Sequence, residues 1–339
     1  MKNLIFDLCK RGGISGDENS VASYCENFLK QYTDNVRIDF NNNVIAVMGN
    51  ENADYTFLLD AHCDRIGFIV SEFNENGFIR VETVGGIDLR TLLDSAVTVY
   101  GKKVLNGVVC CMPSHLSDGN EDKAVSSDKI WIDLGLPYSE VKENVSIGDS
   151  VTFNTEPKEL LNSRISSSAL DNRSGVASLL SVAERLSESD INSKVVILLS
   201  CQEETYAAGA KTVPFNYDID ECISVDVSFA SQHGVESPYS EIKLGKGPML
   251  CISPNLNRDM YNKLKETAVN NNIPYQIEVC SGTTGTNADH ITLSKLGVKT
   301  ALVSIPEKNM HSQAEIIDLN DVDYLAKLIC TYILDGGVR

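Results

Sequence analysis

Between about residues 70 and 160 the chain reads as a run of short alternating segments, Phe78–Thr83, Ala96–Tyr100, Val108–Met112, Lys129–Leu134 and Ser150–Asn154, punctuated by Gly, Asn and Asp. No other feature constrains the fold as strongly. Short strands separated by turn residues bury their apolar sides by closing into a small barrel or sandwich. On either side the pattern changes. Helix-like periodicity over Arg173–Leu186, Arg258–Asn271, Ala288–Lys295 and Asp321–Leu334 alternates with strand-like runs at Lys194–Cys201, Cys222–Val227, Gln276–Cys280 and Lys299–Ile305. The first 70 residues share this character. Ser15-Gly-Asp-Glu18, followed by Val21, Cys25, Phe28 and Leu29, predicts a capped amphipathic helix of about 15 residues. Val44–Met48 and Thr56–Leu59 predict strands, the second running directly into Asp60-Ala-His-Cys-Asp64. The expectation is an α/β fold with a mixed central sheet flanked by helices and an inserted small β-barrel-like domain. One α/β domain, residues 1–69 and 161–339, is split in sequence by the insertion at 70–160.

Charge and composition narrow the function. Lys and Arg total 29 against 47 Asp and Glu, a formal charge of −18, which argues against binding a phosphate backbone. The richest apolar run, Val195 to Cys201, is strand-length, so neither a membrane span nor an anchor is expected. The opening MKNLIFDLCKRGG runs into a basic pair without a small-residue cleavage site. This chain reads as cytoplasmic. Ten cysteines lack CxxC spacing and read as buried, reduced thiols, with Cys63 and Cys201 notable for their neighbours.

Those neighbours are acids and imidazoles placed just beyond a predicted strand or at a helix entrance: His62 and Asp64, Asp171, Glu203-Glu204, Asp226 and His311. Loops beyond the carboxyl ends of strands in an open α/β sheet converge on one crevice, so residues far apart in sequence can share a site. Each residue alone has a plainer reading. His62 suits a satisfied core histidine, Asp171 a helix cap, the glutamate pair a solvated surface, and His311 an ordinary loop. Asp226, following Ile223-Ser-Val225, is harder to dismiss, because an unpaired charge leaving a buried strand is expensive. Together they supply the mixed nitrogen and oxygen ligation that suits zinc, manganese or cobalt. With five histidines in the chain, an all-histidine site is not expected. Asp64, two residues from His62 on an extended segment, shares its face and is placed to support the free ring nitrogen.

Six motifs then occur in a specific order: Ala61-His-Cys-Asp-Arg-Ile-Gly-Phe68, Ser168-Ala-Leu-Asp-Asn-Arg-Ser-Gly175, Gln202-Glu-Glu204, Val225-Asp-Val227, Gly245-Lys-Gly-Pro248, and Ile305-Pro306 up to Met310-His-Ser312. With Ser15-Gly16 and the β-rich insertion, this order resembles the tetrahedral (TET) aminopeptidases, the metallopeptidase family that includes glutamyl aminopeptidases. The resemblance implies a metal-dependent aminopeptidase acting on short peptides, holding two divalent metal ions per subunit, zinc in the first place, with cobalt or manganese as alternatives. It implies that Asp171 bridges the two ions, that His62 and Asp226 complete one site and Glu204 and His311 the other, and that Glu203 is the general base. It also implies a homo-dodecamer built from dimers, with the insertion as the oligomerisation domain. The sequence departs from the family pattern at Arg65, Asn172, Asn287, Thr205-Tyr-Ala-Ala208 and Lys308-Asn309, none of them a proposed ligand. Three rivals compete with this reading: a metal-dependent deacylase on a small acylated amine, a metal-free glycosidase using two facing carboxylates, and a non-enzymatic assembly protein on the same scaffold.

Overall fold

The computed structural model describes residues 1–111, 126–234 and 239–338. Eight strands form one mixed sheet in the order Val36–Ile38, Val44–Gly49, Lys194–Ser200, Thr56–His62, Glu221–Phe229, Lys299–Glu307, Met249–Ile252 and Gln276–Val279. The four central strands run parallel, while Val44–Gly49 and Met249–Ile252 pair antiparallel at their flanks. The period of two along each strand sorts side chains between two cores. Val44, Ala46, Phe57, Leu59, Val195 and Ile197 pack on one face, against the helices Leu170–Ser187, Leu319–Leu334 and Lys2–Cys9. Ile45, Val47, Leu58, Val196 and Leu198 pack on the other, with Ala210, Val213 and Ile291. Burial on both faces explains why these strands read as unbroken apolar runs.

The β-rich block closes as a six-stranded antiparallel barrel from Gly67–Phe73, Ile79–Val84, Trp131–Asp133, Val104–Val109, Ala96–Tyr100 and Ser150–Phe153. Its interior holds Phe68, Val81, Val97, Val99, Ile132 and Phe153, with the Phe68 and Phe153 rings edge-to-face at 5.4 Å. A three-stranded sheet of Lys158–Glu159, Arg164–Ser167 and Glu315–Asp318 completes the fold. No helix among the described residues is long and apolar enough to cross a membrane.

Several expectations need correction. Ser15 caps no helix: its hydroxyl donates to Asp64 Oδ2 at 2.5 Å, and the helix runs only over Asn19–Leu29. The helix expected over Ala288–Lys295 stops at Ile291, and Lys295 adopts a left-handed φ of 52°. The strand expected over Val108–Met112 is Val104–Val109, and Met112 lies outside the described residues. Lys129–Leu134 contributes only Trp131–Asp133 as strand. Thr56–Leu59 continues to His62, taking Asp60 into the sheet. Among the described residues three α-helices lie outside the expected set, Lys2–Cys9, Tyr138–Asn144 and Ala208–Thr212. None of the ten cysteines is in a disulfide, and seven are buried; Cys110 and Cys280 are half-buried and Cys111 is exposed.

Candidate active site

The candidate residues arrive at the carboxyl ends of the four central parallel strands, where sheets of this kind gather their functional loops. Thr56–His62 ends on His62 and leads to Asp64. Lys194–Ser200 leads through Gln202, at φ 57°, to Glu203-Glu204. Asp226 lies within Glu221–Phe229, and Lys299–Glu307 leads to His311. Asp171 sits where Leu170–Ser187 begins, in a non-helical turn after the left-handed Ala169, with a cis peptide to Asn172. It is not a cap on a regular helix.

Six of the seven residues line one cavity of about 660 Å³: His62, Asp171, Glu203, Glu204, Asp226 and His311. The seventh, Asp64, is fully buried. Asp171 is the geometric centre. Its Oδ1 stands 3.2 Å from His62 Nε2, and its Oδ2 stands 3.1 Å from His311 Nε2. Each imidazole has a second carboxylate of its own, Asp226 at 3.6 Å from His62 and Glu204 at 3.4 Å from His311. Glu203 stands a little farther from His62 Nε2 than Asp226 does, at 3.9 Å. A second cavity, of about 580 Å³ and lined by Asp54, Lys194, Tyr217 and Lys295, contains none of the candidates.

Asp64 faces the free ring nitrogen of His62 as expected, its Oδ1 lying 3.5 Å from Nδ1. Asp64 also accepts the Ser15 hydroxyl and the backbone N–H groups of Glu203 at 3.0 Å and Glu204 at 3.1 Å. It therefore anchors the turn that presents the glutamate pair. Glu18, also buried, fixes the same turn by accepting Gln202 N–H at 3.2 Å.

Electrostatics mark the cluster as short of positive charge. Burial opposes protonation of His62, yet Glu203, Asp171 and Asp226 outweigh it and hold the imidazole well above the usual range. His311, against the same penalty, is raised to about 10 by Asp171 and Glu204. Burial lifts Glu203 to about 8, and raises Glu204 with Asp171 adding to the effect. Asp171 is held below the usual carboxylate range because the two imidazoles overcome its burial. Among the described residues the ion-pair partners of these carboxylates are histidines alone, with no lysine or arginine, and Glu204 Oε1 is buried without a partner.

This donor set fits a pair of divalent cations. Ligands about 2.1 Å from an ion in tetrahedral arrangement are about 3.4 Å apart. The four imidazole–carboxylate separations, 3.2, 3.6, 3.1 and 3.4 Å, match that edge. His62, Asp171 and Glu204 present ligand atoms all within 4.8 Å of one another.

Residues beyond those read from the sequence also shape the site. Gly86 O lies 2.8 Å from His311 Nδ1, so with the proton on Nδ1 that nitrogen donates to the carbonyl and Nε2 faces the cluster as a lone pair. Gly85 and Gly86 follow the barrel strand Ile79–Val84, and so the barrel itself contributes to the site. A Gly-Gly pair closing a strand was the available signal. Glu315, buried, accepts the amide of Leu170 at 2.6 Å and of Asp171 at 3.3 Å. Among the departures, Asn172 donates to Val225 O at 2.8 Å and accepts Gly175 N–H at 3.1 Å, tying the helix start to the Asp226 strand. Asn287 donates to Ser200 Oγ at 2.8 Å. Arg65 is buried, donating to Ser168 Oγ at 2.9 Å; it braces the approach to Asp171.

Histidines and carboxylates gathered at the ends of parallel strands, with a closed barrel alongside, suit a metal-dependent hydrolase. The profile of the M42 glutamyl aminopeptidases matches residues 42–328, and the chain belongs to that family. It is 32% identical over 331 residues to a lysyl aminopeptidase of Pyrococcus furiosus, covering 96% of this chain and 94% of the relative. Among solved structures it resembles aminopeptidase APDkam598 of the archaeon Desulfurococcus kamchatkensis, with a TM-score of 0.92 and 31% identity over 99% of this chain and 95% of that one. It also resembles the TET1 peptidase of Pyrococcus horikoshii, which can assemble into a tetrahedron or a large octahedral shell, with a TM-score of 0.87 and 29% identity over 98% of each chain. The family read from the ordered motifs and the fold class are both borne out.

Proposed function

We propose that this aminopeptidase removes amino-terminal residues from short peptides and works with two divalent metal ions, zinc in the first place. The observation carrying this reading is the division of Asp171, one oxygen toward His62 and the other toward His311, each imidazole having its own second carboxylate. His62, Asp171 and Asp226 would hold one ion, and His311, Asp171 and Glu204 the other. When bound, such a pair supplies Lewis acidity at the scissile carbonyl and makes water a nucleophile at neutral pH. Glu203, outside both ligand groups and lining the cavity, takes the proton from the attacking water and returns it to the departing amine. Asp64 holds the Glu203 and Glu204 amides, so one neighbour ligates while the other faces the water.

The barrel exposes Val104, Val108 and Ile147, which suits packing against further subunits in a homo-dodecamer built from dimers. The test of the reaction compares free and N-acetylated forms of one short peptide, with and without a chelator. Cleavage of the free form alone, abolished by chelation, is expected. Equal cleavage of both forms would move the reading to a deacylase or endopeptidase, and activity surviving full metal removal would overturn the metal requirement.

A further inference from the structure

Beyond the histidine–carboxylate cluster, the same cavity is lined by Glu278 and Cys280, with Cys251 beside them. Met249–Ile252 and Gln276–Val279 are adjacent parallel strands, with Cys251 in register with Glu278. Cys280 follows two residues after Glu278, and its N–H donates to Ile252 O, so the period of two returns it to the same face. Cys251 Sγ and Cys280 Sγ are 3.5 Å apart, and a ligand atom from each cysteine and from Glu278 lies within 4.8 Å of the others. Cys251 and Glu278 are buried, whereas Cys280 is half-buried, and it lines the cavity together with Glu278.

We infer that Cys251, Cys280 and Glu278 form a third metal site, selective for borderline-soft divalent cations of the zinc class, on the wall of the substrate cavity. The donor set suits this class: two thiolates favour such cations over magnesium or calcium, and three protein ligands leave the fourth position open toward the cavity. Distances agree as well. Two sulfurs each about 2.3 Å from a tetrahedral ion are about 3.8 Å apart, close to the separation already present. Glu278 is oriented in advance, accepting the Ser228 hydroxyl at Oε1 and the Ser304 hydroxyl at Oε2, the latter at 3.3 Å. Each oxygen keeps lone-pair capacity for an ion, and supporting hydrogen bonds of this kind fix a ligand's direction. Binding displaces the two thiol protons. The resulting charge, three anionic donors against a dication, is shared with the two serine hydroxyls.

Cobalt(II) added to the full chain, reduced with a phosphine and carrying Cys110→Ser and Cys111→Ser, tests the site. The histidine–carboxylate cluster has no sulfur ligand, so thiolate-to-cobalt charge-transfer absorption reports the third site whatever the state of the dinuclear reading. The expected result is such a band saturating at one ion per chain, lost in Cys280→Ser and in Cys251→Ala. Ser228→Ala keeps both thiols and is expected to keep the band while weakening cobalt binding about 10–100-fold. The proposal is overturned if the reduced chain shows no charge-transfer band, or if the band survives both cysteine substitutions. Cobalt affinity unchanged in Glu278→Gln would remove Glu278 from the ligand set and overturn the three-ligand site.

Discussion

On the proposed assignment, replacing Glu203 with glutamine separates proton transfer from metal binding, because Glu203 is the general base and ligates neither ion. Its nearest imidazole contact is His62 Nε2 at 3.9 Å, and the turn that carries it is held through its backbone amide by Asp64 at 3.0 Å. Glutamine matches its shape, leaves the amide anchor intact and removes only the basic oxygen. General acid–base catalysis is worth about 10²–10⁴-fold, or about 3–5 kcal/mol of barrier at about 1.4 kcal/mol per decade. One group serving both proton steps places Glu203→Gln at the upper end. Turnover of a chromogenic aminoacyl substrate, measured beside metal content and melting temperature, is expected to fall about 10³–10⁴-fold in kcat with metal content and fold unchanged. A kcat within tenfold of wild type would refute the role. Loss of metal from Glu203→Gln, with Glu204→Gln retaining both ions, would reverse the assignment of the pair.

Two further expectations follow from particular contacts. Gly85 has φ +80°, and an added Cβ would lie 2.7 Å from Ile66 Cγ2; Gly85→Ala should cost about 1–3 kcal/mol and lower activity by shifting the neighbouring Gly86 carbonyl off His311, which paired thermal melts and kinetics would check. Asp321 is fully buried, accepting the amides of Gly245 and Gly247 at 2.7 Å each, and burial lifts its carboxyl to about 6. Its folded value lies above the ordinary one of about 4, so the protonated form suits the fold better. That contribution, on the order of 2–3 kcal/mol, is fully present below about pH 4 and is lost as pH rises through about 6. Asp321→Asn lacks the titration, so the melting-temperature advantage of wild type over the variant should shrink between pH 4 and 7; a constant difference would refute the assignment.

Long periodic segments were legible because burial on a single stripe or on both faces leaves its period in the sequence. Arg258–Asn271 and Lys194–Cys201 each fall within one residue of the observed elements. Where local chemistry competed, the reading failed. Ser15 looks like a cap because it precedes acids and apolar spacing, but a residue 49 positions away claims its hydroxyl. Ala288–Lys295 continues the helical pattern through Leu293, yet Leu293 is exposed and the helix ends first, at Ile291. Of the acids and imidazoles in the cavity, Asp226 was legible by itself, because an unpaired charge leaving a buried strand is costly; the others were legible as a set, through the order of their motifs. The Gly86 carbonyl and the amide anchoring by Asp64 were not, since backbone partners leave no side-chain signature.

The central claim is that Asp171 joins two ions in one site, and metal stoichiometry tests it most directly. Titrating metal-free protein with zinc, in a Cys251→Ala, Cys280→Ser background that removes the thiol site, should give two ions per chain for otherwise wild-type protein and for Glu203→Gln. Asp171→Asn should hold no more than one, because the amide keeps a single ligating oxygen and turns an NH2, which cannot ligate an ion, toward one of the two imidazoles that stand 3.2 and 3.1 Å from the aspartate. Two tightly held ions in Asp171→Asn, or a single ion in a fully active otherwise wild-type chain, would contradict the account.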